Sequence, residues 1–392
     1  MSEIKQSQQE REAALRPELR KDKEIEHFRG NALSGIFTAS TEVLLPSPQH
    51  VMERLCAHFS EYGEVELRQG CCRIDTGFGI ADVEDCGKCL RICATGKDEV
   101  ALAYVKLALA EHVLNFADGS PAIVWQGDGA AGAPLPYFRE MRVKSATSLT
   151  PLMRRLTLQG EDLHRFHSGG LHVRLLIPKD RSAPPSWPVM GEDGRPCWPS
   201  LDKRPDVRIY TLRRVDADRG EVDIDFVLHD GSDMPGARFA AEARPGDVVG
   251  MTGPGGGVVP AADWYLLAGD ETALPAIARM LEELPPPAHA AVRIQIADRD
   301  EIQPLRSKAS LDLQWLCRNA AGGACGLADA VRSVEWPRDE RSVFAWAGCE
   351  HRDFVAIRRY LRQERAMPRD RHLVAAYWRR GAAGDEARRE DQ

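Results

Sequence analysis

No stretch of the 392-residue sequence approaches the roughly 18–20 consecutive apolar residues that a bilayer-spanning helix requires, so the sequence predicts a soluble protein. Positive charge is not in excess either. Lys and Arg number 52 against 59 Asp and Glu, a formal charge of -7, and the concentrated basic surface that neutralises nucleic-acid phosphates is missing. The N-terminal stretch Met1–Gly30 carries no apolar export core, and the ten cysteines do not form the ladder of a short secreted domain. A cytoplasmic protein with reduced thiols is therefore expected. The remaining composition is that of a folded chain: 43% hydrophobic and 28% charged residues exclude both wholesale disorder and a fibrous architecture. At roughly 150 residues per domain, the length predicts two or three domains.

Residues 1–33 alternate charges of both signs and nearly lack large apolar side chains, which predicts a flexible tail. From 34 to 118 the pattern is that of a small α+β domain. A strand (37–45) leads into a helix (48–60) with Val51, Leu55, Cys56 and Phe59 at helical spacing; short strands follow, then a long helix (98–116) capped by Asp98. The Gly/Pro/Ala-rich stretch 119–136 reads as a linker. Between 137 and 258, six short strand patterns (138–146, 153–159, 171–177, 207–214, 222–228 and 247–252) predict an antiparallel β-barrel. The Pro, Gly and Trp-rich excursion 178–205 is of the length that usually shapes a site. From 259 to 381, apolar runs at 264–268, 292–297, 343–347 and 372–377 alternate with helical patterns at 274–284 and 353–364, predicting an α/β domain with a parallel sheet. Residues 382–392 read as a tail.

A barrel followed by a parallel α/β domain suits electron transfer, with a flavin on the first and a nicotinamide presented by the second, although fold order alone does not establish function. In Arg208-Ile209-Tyr210-Thr211 the strand period of two places Arg208 and Tyr210 on one side and Thr211 on the other. A guanidinium matches a diphosphate, an aromatic ring covers an isoalloxazine or ribose, and a hydroxyl bonds a ring nitrogen.

Four separated stretches carry a family resemblance: Phe138 to Pro178, Arg208 to Gly231, Leu266-Leu267-Ala268-Gly269-Asp270-Glu271-Thr272-Ala273-Leu274-Pro275, and Tyr377-Trp378-Arg379-Arg380-Gly381. Together they resemble the siderophore-interacting proteins, the ferric-siderophore reductases of the flavin-containing ferredoxin-reductase superfamily. The resemblance implies FAD as cofactor. It implies Arg208 on the diphosphate, Tyr210 and Thr211 against the flavin and its ribityl chain, and Val227, Leu228 and His229 bordering the flavin. Gly236 and Ala237 are implied as phosphate-approach positions, and Thr272 as a flavin neighbour. This sequence departs from the family where a Trp is usual, since Phe239 stands there. Trp378 is expected to shield the flavin, and Arg379 and Arg380 beside it to capture an anionic ferric siderophore; Arg352 and Arg359 read as an ordinary solvated helix face.

The resemblance further implies an electron donor, NADPH or NADH, or reduced ferredoxin as a partner. Asp298 after the second parallel strand favours a ribose 2'-hydroxyl, while Arg299 beside it favours a 2'-phosphate, so both dinucleotides stay open. Gly253-Pro254-Gly255-Gly256-Gly257 precedes the first parallel strand and lacks the dinucleotide spacing; it reads as a turn between domains. Two other functions stay open: a non-catalytic ferric-chelate-binding protein on a reductase-like scaffold, and a general flavin or ferredoxin reductase.

The N-terminal domain resembles a small domain of unknown function (DUF2218) found alone or fused ahead of siderophore-interacting proteins. Its Cys86-x-x-Cys89-x-x-x-Cys93 group, with Cys71 and Cys72 upstream, has the spacing of metal ligands. Strand alternation explains the same spacing: residues 85–88 read as a hairpin turn, and Leu90 and Ile92 face opposite to Cys89 and Cys93.

Overall fold

A computed structural model describes residues 35–228, 234–257, 259–319 and 325–381. The two predicted tails and His229 lie outside the described residues. Two compact units emerge. One holds the described residues up to Phe138 together with Ala183–Arg204, and the other holds Arg139–Ser182 and the chain from Pro205 onward.

The first unit contains β1 (Phe37–Leu44), α1 (Pro48–Phe59), β2 (Val65–Arg68), β3 (Cys71–Asp75), β4 (Gly79–Asp85), β5 (Cys89–Gly96), α2 (Glu99–Phe116) and β6 (Gln126–Gly127). Its strands form one antiparallel sheet in the order β2-β3-β4-β5-β1-β6. Alternation sorts the two faces: Ala39 and Val43 of β1, Val83 of β4, and Leu90, Ile92 and Ala94 of β5 are buried with α1 and α2, while their neighbours face outward. The Asp98 carboxylate caps α2 by accepting from Ala101 N at 2.7 Å, and Leu102, Val105, Leu109 and Val113 bury its inner stripe. Residues 119–136 pack into this unit: Ile123 and Leu135 are buried, and Lys106 Nζ donates to the Gly129 carbonyl at 2.8 Å.

The second unit opens with β7 (Phe138–Thr150), β8 (Met153–Gln159) and β9 (His172–Ile177). The excursion then carries a hairpin, β10 (Val189–Met190) and β11 (Pro196–Cys197), which belongs to the first unit. There Met190 is buried with Ala103, Leu135 and Tyr137, and Trp125 Nε1 donates to the Asp193 carbonyl at 3.0 Å. Barrel strands resume with β12 (Asp206–Thr211), β13 (Arg214–Asp216), β14 (Glu221–Val227), the short helix α3 (Pro235–Glu242) and β15 (Val248–Gly255). The hydrogen-bonded order is β12-β9-β15-β7-β8-β14-β13. The sheet rolls up on its apolar inner face until Tyr210 of β12 meets Phe226 of β14, ring centroids 4.3 Å apart.

The rest of this unit is a parallel sheet: β16 (Trp264–Gly269), α4 (Leu274–Glu283), β17 (His289–Ile296), β18 (Ser310–Cys317), α5 (Leu327–Arg332), β19 (Val343–Glu350), α6 (His351–Arg359) and β20 (His372–Trp378). Its order, β18-β17-β16-β19-β20, reverses between β16 and β19, and the crevice beyond the carboxyl ends of those two strands is the topological switch point where such sheets bind ligands. Every residue of β16 is buried, as expected of a central strand covered on both faces.

The structure differs from the sequence expectation in several details, among them the helix α5, not expected, and β15, which runs on through Gly255 into the stretch read as a turn between domains. The strand expected at 207–214 breaks at Leu212-Arg213 into β12 and β13, and the helix expected at 353–364 begins at His351 and widens into a π-type turn over Tyr360–Glu364. The edge strand β18 and the helix α3 are elements that the apolar pattern did not announce.

Candidate functional site

The barrel side of the site is built on β12. Register pairs Arg208 with Leu175 and Tyr210 with Val173, so these two side chains share the inner face, while Thr211 pairs with His172 on the other. Tyr210 packs against the barrel core, and burial pushes its hydroxyl pKa up, against a smaller opposing effect of the Arg208 charge. The phenol reaches the first turn of α3 so closely that a Cβ on Gly236 would lie 1.8 Å from its hydroxyl oxygen. Gly236 and Ala237 thus bring the N–H groups of a helix start beside Tyr210.

Several arginines of the barrel and one of α4 pair with carboxylates. Arg155 pairs with Asp225 at 2.6 Å, Arg214 with Asp223 at 2.7 Å, Arg213 with Glu282 at 2.6 Å and Arg279 with Glu283 at 2.9 Å. Among the described residues no carboxylate pairs with Arg208, whose Nη1 donates to the preceding carbonyl of Val207 at 2.7 Å. Arg154 is another arginine for which the described residues show no carboxylate partner. It lies opposite Phe226 in the β8–β14 ladder, and its Nε is buried without a hydrogen-bond partner. Arg208, on the strand face it shares with Tyr210, together with a helix start and with Arg154 opposite Phe226, forms a donor set for a diphosphate, which fits FAD.

Across the unit, the switch point is organised by Asp270, which follows β16 and is 2% exposed. Its Oδ1 accepts from Thr272 N at 2.9 Å and Thr272 Oγ1 at 2.5 Å; its Oδ2 accepts from Glu350 N at 2.9 Å and Trp378 Nε1 at 2.8 Å. One carboxylate therefore ties the ends of β16, β19 and β20. Burial pushes its pKa up to about 6, against the hydrogen bonds from Thr272 and Trp378 that favour the charged form. Beside it, Glu271 pairs with Arg318, and burial pushes the Cys349 thiol up.

The two halves of the unit meet at His172 and Tyr377. His172 Nε2 and the Tyr377 hydroxyl share a hydrogen bond of 2.6 Å. His172 is the register partner of Thr211, and Tyr377 precedes Trp378, so the far end of β12 and the end of β20 converge on this bond. Gly256 (φ +89°) lets the chain cross His172, since a Cβ there would lie 2.2 Å from Nδ1. A second tie is Glu301, 2% exposed, which accepts from Thr150 Oγ1 at 2.6 Å and Leu152 N at 2.9 Å of the β7–β8 turn.

The residues expected at the site form two groups. On the barrel are Arg208, Tyr210, Thr211, Val227, Leu228, Gly236 and Ala237; Leu228 N donates to Leu152 O at 2.8 Å, and Phe239 is buried in the barrel core. On the parallel sheet, Thr272 and Trp378 come together on Asp270, while Arg380 is exposed and its N donates to Glu350 Oε1 at 3.2 Å. Arg379 is half-buried. Asp298 accepts from Asp300 N at 3.0 Å as the cap of a short turn, leaving Arg299 exposed beside it. Arg154, His172, Asp270 and Tyr377 were not singled out from sequence. Asp270 and Tyr377 stand inside short motifs that carry the family resemblance, and Arg154 and His172 lie within the longer stretch Phe138 to Pro178, where nothing local marks them.

Fold and site together define the class, an FAD-binding oxidoreductase. Residues 142–258 match the siderophore-interacting FAD-binding domain, 262–381 the siderophore-interacting protein domain, and 40–126 an uncharacterized bacterial domain, DUF2218. The chain is 33% identical over 242 residues to the ferric vibriobactin reductase ViuB of Vibrio cholerae, covering 61% of this chain and 88% of that protein. It is 31% identical to the NADPH-dependent ferric-chelate reductase of Escherichia coli, covering 62% and 92%. A siderophore utilization protein from T. fusca superposes with a TM-score of 0.55 at 39% identity, covering 63% of this chain and 94% of that one. The chain belongs to the siderophore-interacting protein family, carrying its FAD-binding domain behind an N-terminal DUF2218 domain. Among the described residues no helix is long and apolar enough to cross a membrane.

Proposed function

We propose that this chain reduces ferric siderophores, with FAD as the electron carrier and NADPH as the donor, and releases Fe(II) for iron acquisition. The observation that carries the reading is Arg208, without a carboxylate partner among the described residues, on the same strand face as Tyr210 and beside the helix start at Gly236, on a domain whose family binds FAD; Arg154, opposite Phe226, adds a second guanidinium. A diphosphate supplies negative charge that matches these guanidiniums.

Arg208, with Arg154, holds the diphosphate, and the first turn of α3 at Gly236 and Ala237 adds backbone donors. Tyr210 and Thr211 orient the ring system and its chain; Val227 and Leu228 border it and keep water out. Thr272 and Trp378, held by Asp270, close the opposite side. FAD supplies the chemistry that a nicotinamide and iron cannot perform alone, taking two electrons at once and giving them up singly. Hard oxygen ligands favour Fe(III) over Fe(II), so reduction of the substrate loosens the chelate. Arg379 and Arg380 attract the anionic ferric chelate. NADPH is favoured over NADH by Arg299, exposed where a 2'-phosphate would meet it, while the Asp298 carboxylate is engaged in capping its own turn. The name of the Escherichia coli relative supports the same donor.

The test is capture of Fe(II) by a chromogenic ferrous chelator from a ferric siderophore, with NADPH, NADH or reduced ferredoxin in separate arms. The proposal expects acceleration well above free FAD with NADPH in the lead. No acceleration with any donor would remove the enzyme reading; acceleration led by ferredoxin or NADH would overturn the donor assignment alone.

A further inference from the structure

We propose that Cys86 and Cys89, in the N-terminal unit, form a reversible dithiol–disulfide pair, a thiol–disulfide exchange site for low-molecular-weight disulfides of the glutathione class. The two residues flank the two-residue turn Gly87-Lys88 that joins β4 to β5. Cys86 N donates to the Cys89 carbonyl at 3.0 Å, Gly87 has φ +83°, and the Lys88 carbonyl is tied down by Leu45 N at 3.1 Å. Directly opposed, hydrogen-bonded residues of an antiparallel pair have Cα atoms about 5.5 Å apart, inside the range of about 4.4–6.8 Å that a disulfide spans. The hairpin therefore holds Cys86 and Cys89 within the separation that a disulfide spans.

Exposure and loop size point to exchange rather than to a structural staple. Cys86 is exposed and Cys89 half-buried, on the sheet face turned away from α1 and α2. A bridge across two intervening residues closes a very short loop and removes little entropy from the unfolded chain, so it adds little stability and is readily reversed. Cys56 of α1 and Cys72 of β3 make the contrast: both are buried, out of reach of a solvent disulfide. Among the described residues no group of three or more His, Cys, Asp or Glu is placed to hold a metal.

In the exchange, the Cys86 thiolate attacks one sulfur of a disulfide RS–SR, an S–S bond forms to Cys86, and the first RS⁻ leaves. The Cys89 thiolate then attacks the Cys86 sulfur, closing the Cys86–Cys89 bond and expelling the second RS⁻. The two protons lost by the cysteines end on the two RSH products; the protein loses two electrons and the small disulfide gains them. Cys86 attacks first because solvent reaches it. Burial and the neighbouring Cys86 push the Cys89 thiol pKa up, which suits a group that acts second.

The full chain, reduced and desalted, is equilibrated with mixtures of oxidised and reduced glutathione, quenched by alkylation and mapped by peptide mass. The expected result is loss of two alkylatable thiols, those of Cys86 and Cys89, reversed by excess reduced glutathione. In Cys89→Ser, glutathione is expected to accumulate on Cys86 as a mixed disulfide, and Cys86→Ser to show neither product. Both substitutions lie at an exposed turn, and an unchanged thermal transition confirms that each variant folds. Full alkylation of Cys86 and Cys89 at every ratio would overturn the proposal. So would a disulfide mapping to other cysteines, or a Cys89→Ser chain that traps no glutathione.

Discussion

Arg208, a guanidinium with no carboxylate partner among the described residues and on the same strand face as Tyr210, is the most informative single group in this chain. Losing a hydrogen bond to a charged group costs about 1.5–3 kcal/mol, so Arg208→Ala is expected to weaken FAD binding by about ten- to a hundredfold in a flavin fluorescence titration. Gly236→Ala should also lose FAD, because its new methyl meets the Tyr210 hydroxyl, and adding Tyr210→Phe should restore part of the binding by removing that oxygen. Asp270 supplies a pH signature. Its folded-state pKa of about 6 lies above the ordinary carboxylate value, so the folded chain holds this proton more tightly than the unfolded chain. The Asp270 contribution to stability is therefore full below about pH 4, falls as pH rises toward about 6, and is flat above. Asp270→Asn should flatten that segment of the plot of unfolding temperature against pH. Arg208 and Tyr210 were legible in sequence because a strand period fixes which neighbours share a face. Asp270 and Trp378 are 108 positions apart, and His172 and Tyr377 are 205 apart; no local pattern announces such pairs.

Strands and turns place these residues. The β7–β8 turn is anchored on Glu301 through Thr150 Oγ1 and Leu152 N, both reaching a carboxylate that is almost fully buried. Glu301→Ala leaves that N–H without its partner at a cost of about 1–3 kcal/mol. A fall of several degrees in unfolding temperature by calorimetry is the expected result. Central elements were readable because burial on both faces leaves an uninterrupted apolar run, as in Trp264–Gly269. The edge strand β18 escaped because only Leu316 among its eight residues is buried, which leaves no consistent alternation. The excursion between β9 and β12 was recognisable as unusual, yet composition could not say which unit it joins.

At the scale of the molecule, that excursion constrains how the chain can be divided. Ile177 pairs with Asp206, so β9 and β12 are the arms of one hairpin whose loop belongs to the N-terminal unit. A chain beginning at Arg139 strips Met190 of Ala103, Leu135 and Tyr137, and should aggregate by size-exclusion chromatography. Replacing Ala183–Arg204 with a short Gly/Ser linker should return it to solution, since the hairpin arms remain side by side. The family was legible from four separated motifs, and the order of domains from the change between alternating and continuous apolar patterns. The central claim is that Arg208, Arg154, Tyr210 and Gly236 hold FAD so that electrons from NADPH reach chelated iron. It is tested most directly by the visible absorption spectrum of the purified full chain, titrated anaerobically with NADPH and then with a ferric siderophore. The account predicts a flavin spectrum that bleaches with NADPH and returns as Fe(II) appears. A folded chain that stays colourless and takes up no added FAD would contradict it.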